Sequence, residues 1–285
     1  MKLPLSLLIA FWSVVALAQT DPNKAVEPIV AEGKLLYRCE MASWYGTDIF
    51  LAQYPDKEKA GGYFSYLMGE RARCVFFSKA AKPTVIATID FEPDYDLATA
   101  KFNPQVREFT SEEQSLYEIR EIALEEINSD TLFKTYSNSS LNLIPLISGS
   151  EKKVYVLTGP TNRRVLFGND YLLTFNKKNK VTSKQSLHNN LIPVDYDTPE
   201  QRKSAIITMH SHNARTGDFI TATDVCTLML YCKLANWKSH YVVSEGYVNI
   251  WDCESQQVVV LTKEAFKRIY EHSQGRNGGK KPSDN

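Results

Sequence analysis

The residue types able to do chemistry are concentrated in one stretch, Met209-His210-Ser211-His212-Asn213-Ala214-Arg215-Thr216-Gly217-Asp218-Phe219-Ile220-Thr221-Ala222-Thr223-Asp224. The apolar run Ala205 to Met209 before it reads as a strand. Alternate strand side chains point to one face, so His210 and His212 project together at the strand's end. A loop with Gly217 follows, and Thr221 to Trp237 reads as a helix with Val225, Leu228, Met229, Cys232 and Ala235 on one side. Thr221 is then the N-cap, and Asp224 falls at N3, where the helix dipole favours a carboxylate. A loop that folds back brings this Asp to the two imidazoles. Two His nitrogens, one carboxylate oxygen and a water make an open tetrahedral zinc site. Such a site lowers the pKa of the bound water towards ~7 and makes it a nucleophile. A lone His-x-His also suits a strand edge, and a lone T-x-x-D suits a plain cap. Their conjunction at strand end and helix start points to a metal.

This order resembles the JAMM (JAB/MPN) metallopeptidase superfamily over roughly Thr110 to Tyr270: H-x-H closing an apolar strand, a loop, then [S/T]-x-x-D opening a helix. The resemblance implies Zn2+ ligated by His210, His212 and Asp224. Ser211 falls between the histidines as in many members. Thr221 stands where the family places a Ser that supports the transition-state oxygen. So Thr221 and Ser211 are the catalytic candidates that it implies. Two features depart from the family. The loop to Thr221 is one residue longer and lacks the usual Pro. The region where the family carries its general-base Glu, Tyr136 to Ile147, contains no Glu. Glu125 and Glu126 lie too early, Glu151 too late and Glu245 in the wrong order, which leaves the base unknown. Glu40, close to Trp44-Tyr45-Gly46, is a candidate donor from the N-terminal region.

The elements that must position these residues give an α+β chain. Residues 1–18 read as a signal peptide: Met1-Lys2, an apolar run to Leu17, then small residues at Ala16 and Ala18. Residues 19–33 are polar with Pro22 and Pro28 and read as a linker. Residues 34–108 form a β-rich N-terminal domain, with strands at Leu35 to Met41, Asp48 to Leu51, Tyr63 to Tyr66, Cys74 to Phe77 and Thr84 to Ile89. Residues 110–272 form a JAMM-like α/β domain, a central sheet flanked by helices. It opens with a T-x-x-E capping box, Thr110 to Glu113, and a helix marked by Leu116, Ile119, Ala123 and Ile127. Strands at 141–147, 153–158, 165–167 and 171–175 precede the histidine strand. Strands at 241–243, 248–251 and 258–261 follow the next helix, and Thr262 caps a last helix. Residues 273–285 read as a disordered tail.

Composition narrows the function classes. The 285 residues carry 33 Lys+Arg against 33 Asp+Glu, and 43% are hydrophobic. Zero net charge excludes an ordinary nucleic-acid binder, and the apolar content excludes a disordered chain. Cleavage after Ala18 removes Lys2 and leaves 32 − 33 = −1. The expected location is periplasmic or extracellular, without an integral membrane segment after cleavage. The five cysteines, Cys39, Cys74, Cys226, Cys232 and Cys253, are too sparse for a disulfide scaffold. Cys226 and Cys232 are expected to pack, and a Cys39–Cys74 bridge is open. His188, His240 and His272 lack partners at ligand spacing and read as structural or surface residues. Trp44, Trp237 and Trp251 read as core. The expected function is an exported zinc hydrolase of an amide or isopeptide bond, acting on a peptide or protein. The alternatives are a catalytically silent JAMM-like scaffold that binds a partner protein, and a secreted protein without metal.

Overall fold

The computed structural model describes residues 21–196 and 206–277, with side chains to residue 273. Residues 1–18, expected as a signal peptide, lie outside the described residues, as does most of the expected tail; its first residues, 273–277, continue the last helix.

The chain is α+β. A long helix, α1 (Pro22–Gln53), comes first, then four antiparallel strands: β1 (Ala60–Met68), β2 (Arg71–Ser78), β3 (Val85–Phe91) and β4 (Lys101–Asn103). Helix α2 (Ser111–Ser129) leads into β5 (Ser139–Ser148), β6 (Glu151–Pro160), β7 (Arg164–Gly168), β8 (Tyr171–Phe175), β9 (Val181–Ser186) and β10 (Leu191–Asp195). Of these, β5-β6-β8-β9 form one antiparallel sheet and β7 pairs with β10. Strand β11 (Ile206–Ser211), helix α3 (Ala222–Ala235), β12 (Trp237–Val243), β13 (Tyr247–Asp252), β14 (Gln257–Thr262) and helix α4 (Lys263–Asn277) complete it. The last sheet runs β11-β12-β13-β14, with β11 parallel to β12 and the rest antiparallel. The parallel step needs a crossover, and α3 supplies it.

Helix α1 corrects the linker expected at 19–33 from Pro22 onwards, residues 19 and 20 lying outside the described residues, and the strands expected at 35–41 and 48–51. Its buried positions are Val26, Gly33, Leu36, Cys39, Ala42, Ser43, Gly46 and Phe50. From Gly33 onwards they recur every three or four residues, apart from the neighbours Ala42 and Ser43, a helical period that runs of apolar neighbours such as Leu35-Leu36-Tyr37 conceal. Asp21 caps the start, and Pro22 sits in the first turn, where its missing N–H costs nothing. The helix feeds three cores: Val26 packs with α3 and the last sheet, Leu36 and Cys39 with β5, β6 and α3, and Ala42 and Phe50 with the first sheet. It meets α3 at Gly33, where a Cβ would stand 2.5 Å from that of Val225.

Cys232 and Cys253 form a disulfide with Cα atoms 5.8 Å apart, so Cys232 is not a packing residue only. Cys39, Cys74 and Cys226 are free and buried. Cys39 lies on a helix rather than a strand, and no Cys39–Cys74 bridge forms. Trp237 and Trp251 are core, but Trp44 is 42% exposed. No helix among the described residues is long and apolar enough to cross a membrane.

Candidate metal centre

Strand β11 alternates as its sequence demands. His210 and His212 turn inward and are buried, while Ile207, Met209 and Ser211 face outward. The His212 N–H donates to the Val243 carbonyl at 2.9 Å, which carries the pairing one residue past the strand. The loop to α3 is pinned by Asn249, fully buried on β13. Its amide donates to the Asp218 carbonyl and accepts from the Ile220 N–H, at 3.0 and 3.2 Å. Thr221 then caps α3 with a full capping box: its Oγ1 accepts from the Asp224 N–H, and its own N–H donates to Asp224 Oδ2 at 2.9 Å. The Thr221 hydroxyl also donates to Oδ2, at 2.8 Å. That leaves Asp224 Oδ1 buried with no hydrogen-bond partner.

Oδ1 is aimed at imidazoles. It lies 3.5 Å from His210 Nε2 and 3.4 Å from His188 Nε2, and Oδ2 is 3.3 Å from His212 Nε2. His212 Nε2 is 3.0 Å from His210 Nε2 and 3.1 Å from His188 Nε2. Ligand bonds of 2.0–2.1 Å in a tetrahedron imply edges of roughly 3.3–3.4 Å. The measured separations cluster about that value. The four buried residues therefore could hold a metal ion.

The outer nitrogens strengthen this. His212 Nδ1 faces the Phe219 carbonyl at 3.1 Å, and a carbonyl only accepts, so Nδ1 carries the proton. His188 Nδ1 is 2.7 Å from Asp170 Oδ1, and His210 Nδ1 is 2.8 Å from His240 Nε2. His240 Nδ1 in turn meets Thr208 Oγ1 at 2.7 Å. Each inward Nε2 is thus oriented by a partner on its Nδ1, the arrangement that fixes metal-ligating histidines. Neutral imidazoles so held turn lone pairs on one another, which only a proton or a cation between them makes favourable.

Electrostatics sets His188 apart from His210 and His240. Burial alone would lower the His188 pKa, but Asp224 and then Asp170 outweigh it and push it up to about 11. Burial holds His210 down to about 4 and His240 to about 3. Burial opposes ionisation of Asp224, but His188 and His210 hold it well below the usual carboxylate range.

His188 corrects the expectation that it is a structural or surface residue without ligand partners, whereas His240 is a buried structural residue that holds His210 and His272 is exposed on α4, both as expected. His188 comes from the loop between β9 and β10, brought in by a close approach at Gly168. With φ of +76°, Gly168 would put a Cβ 2.1 Å from the Asn190 carbonyl oxygen. Asp170, buried beside it in the β7–β8 turn, accepts from the Leu187 N–H through its carbonyl and from the Thr223 hydroxyl through Oδ2. An H-N-N after a polar strand and a G-N-D before an apolar one carry no spacing signal, and only the fold joins them.

A cavity of about 370 Å³ opens off the imidazoles. Asn189, Asn190, Ser211, Asn213 and Thr216 line it with His188, His210 and His212, and no carboxylate does. Of the residues expected from sequence, His210, His212 and Asp224 come together, and Ser211 lies at the cavity. Thr221 does not line it; its hydroxyl is bound to Asp224. Neither does any weighed glutamate. Glu126 pairs with Lys184, Glu151 lies near Lys153, and Glu40 lines a separate cavity. No family model matches the chain, and no curated protein or solved structure matches it at a significant level.

Proposed function

We propose that this is a divergent, exported JAMM-like protein whose centre holds one Zn2+ through His188, His210, His212 and Asp224, and that this four-ligand centre is catalytically silent. The observation that carries the reading is the set of three Nδ1-anchored imidazoles facing a carboxylate oxygen that has no other partner. Three nitrogens and one oxygen at tetrahedral spacing suit zinc better than calcium or magnesium, which prefer more oxygen ligands. The JAMM likeness is supported locally: H-x-H on β11, T-x-x-D opening α3, and β12 to β14 following. Export is supported by the signal-like start and by the Cys232–Cys253 disulfide, which suits an oxidising compartment.

Silence follows from His188. A hydrolytic zinc centre keeps one position open, whereas His188 takes the fourth. The upstream Glu of the resemblance has no counterpart in the cavity wall, and Asp170 is committed to His188 and Thr223. On this reading zinc stiffens the junction of β11, α3 and the β9–β10 loop, and the surface around it binds a partner protein.

The second reading is the amide or isopeptide hydrolase, favoured by the cavity that reaches the imidazoles. There zinc would supply Lewis acidity and an acidified water. Ser211 would contact substrate, and Thr221 would act through Asp224 rather than on the oxyanion.

Metal analysis of protein purified without chelators tests the common core: one zinc per chain is expected, and its absence sinks both readings. Assay of the zinc-loaded protein against a peptide library then separates them. Zinc-dependent cleavage by the unaltered chain would overturn the silent reading.

A further inference from the structure

A second cavity, of about 310 Å³, lies among α1, β1, β5, the end of β6 and α3. Its wall combines three aromatic side chains, Trp44, Tyr63 and Tyr231, with two carboxylates, Glu40 and Asp48, and it contains no Lys, Arg or His. Trp44 and Tyr231 stand 6.1 Å apart, tilted by 41°, so their faces form a corner rather than a stack. The 42% exposure of Trp44 is unusual for the largest side chain of a helix that buries aromatics elsewhere.

Glu40 is the second element. It is half-buried, its one side-chain partner is Asn142 Nδ2 at 3.3 Å, and no basic side chain forms an ion pair with it among the described residues. Burial pushes its carboxyl up to about 7. Burial and then Glu40 push the Tyr63 phenol up to about 12. Glu40 also acts on Tyr231 across the cavity. A carboxylate placed among phenols and away from cations is costly unless a positive charge joins it.

We propose that this cavity binds a primary ammonium group on an alkyl chain, of the kind a lysyl side chain carries, with Glu40 as counter-ion and the faces of Trp44 and Tyr231 against the cation. Ring faces attract cations, and the attraction strengthens as water is excluded. The volume suits a small ligand or one side chain. An ammonium has three N–H donors, and Glu40, the Asn142 amide oxygen and the Thr47 hydroxyl offer acceptors in the same wall. A quaternary ammonium has no donor and would leave them unpaired. Asp48, exposed at the rim, adds negative potential at the entrance. The site is independent of the imidazole centre, since the two cavities share no lining residue.

The test is calorimetric titration of the mature chain at pH 8 with Nα-acetyl-lysine amide, Nα-acetyl-norleucine amide and tetramethylammonium. Saturable one-to-one binding of the lysine probe alone is expected. Glu40→Gln should weaken it about tenfold or more, and Trp44→Ala severalfold. Glu40→Gln is nearly isosteric, so loss of fold does not obscure the result. The proposal is overturned if the lysine probe gives no saturable heat or the norleucine probe binds equally well. Equal binding of tetramethylammonium, or unchanged affinity in Glu40→Gln, overturns it too.

Discussion

Helix α3 contributes to two sites that answer different demands. At the first turn of α3, Asp224 faces three imidazoles whose outer nitrogens are all held. Near the end of α3, Leu230 and Tyr231 face α1 across a wall of rings and one loosely held carboxylate. The first arrangement fixes every ligand atom before a cation arrives, as a small ion with short bonds requires. The second fixes only a surface and a charge, which suffices for an organic cation whose charge is spread over a larger volume. Rigidity of the immediate partners therefore separates a metal site from an ammonium site more sharply than the count of carboxylates does.

Removing a ligand is the most severe way to break that contrast. His212→Ala deletes the imidazole nearest to both others and should lower zinc affinity by more than about 100-fold, beyond the 10–100-fold typical of outer partners. Chelator competition reads the affinity. Metal retained at wild-type strength would show that the centre lies elsewhere. Binding of the lysine probe should be unchanged, because His212 does not line the Glu40 cavity.

Loss of an outer partner comes next. Asp170→Asn keeps the shape but weakens the acceptor that orients His188, and about 10–100-fold in zinc affinity should go. An unchanged affinity would mean that His188 is not a ligand, and that the fourth position is open after all.

Gly33→Ala acts on the joint that both sites share. The new Cβ would meet the Val225 side chain at 2.5 Å and the Ala222 carbonyl oxygen at 2.8 Å, and neither is the tip of a flexible side chain. Overpacking of this kind costs about 1–3 kcal/mol. The urea midpoint should fall accordingly, and both ligands should bind more weakly, since α1 carries Glu40 and α3 carries Asp224. A midpoint equal to wild type would show that the helices separate without penalty.

Sequence made part of this visible. His210, His212 and Asp224 were legible because a strand's period of two and a helix's first turn place them without knowledge of the fold. The strands from β5 to β8, helix α3 and the last three strands were legible from apolar runs between turn residues. Helix α1 was not. Its buried face includes Gly33, Ala42, Ser43 and Gly46, small residues chosen for close approach, and they leave little apolar signal. His188 was not legible either, because the approach at Gly168 that delivers it is a tertiary event. The Cys232–Cys253 bridge joins the end of α3 to the end of β13, and its partners become neighbours only once that crossover forms.

The smallest expected effect concerns Glu40 alone. Its carboxyl moves from the ordinary 4.5 to about 7 in the folded chain, with burial as the cause and Asn142 opposing. Between those values the folded chain binds more protons than the unfolded one. Stability contributed by the protonated form is therefore present below pH 4.5 and is lost as pH rises through about 7. The groups around it from other elements, Tyr63 on β1, Cys74 on β2, Asn142 on β5 and Tyr231 and Cys226 on α3, carry no charge in this window. Glu40 is half-buried, so water screens part of the effect and about 1 kcal/mol is expected. Urea midpoints of wild type and Glu40→Gln at pH 5 and pH 8 measure it. The wild type should lose stability relative to the variant at the higher pH, and saturating lysine probe should restore it there. Parallel behaviour of the two proteins would mean that Glu40 is solvated like any surface carboxylate, and the contrast between a preorganised metal centre and a charge-poised cavity would lose its second half.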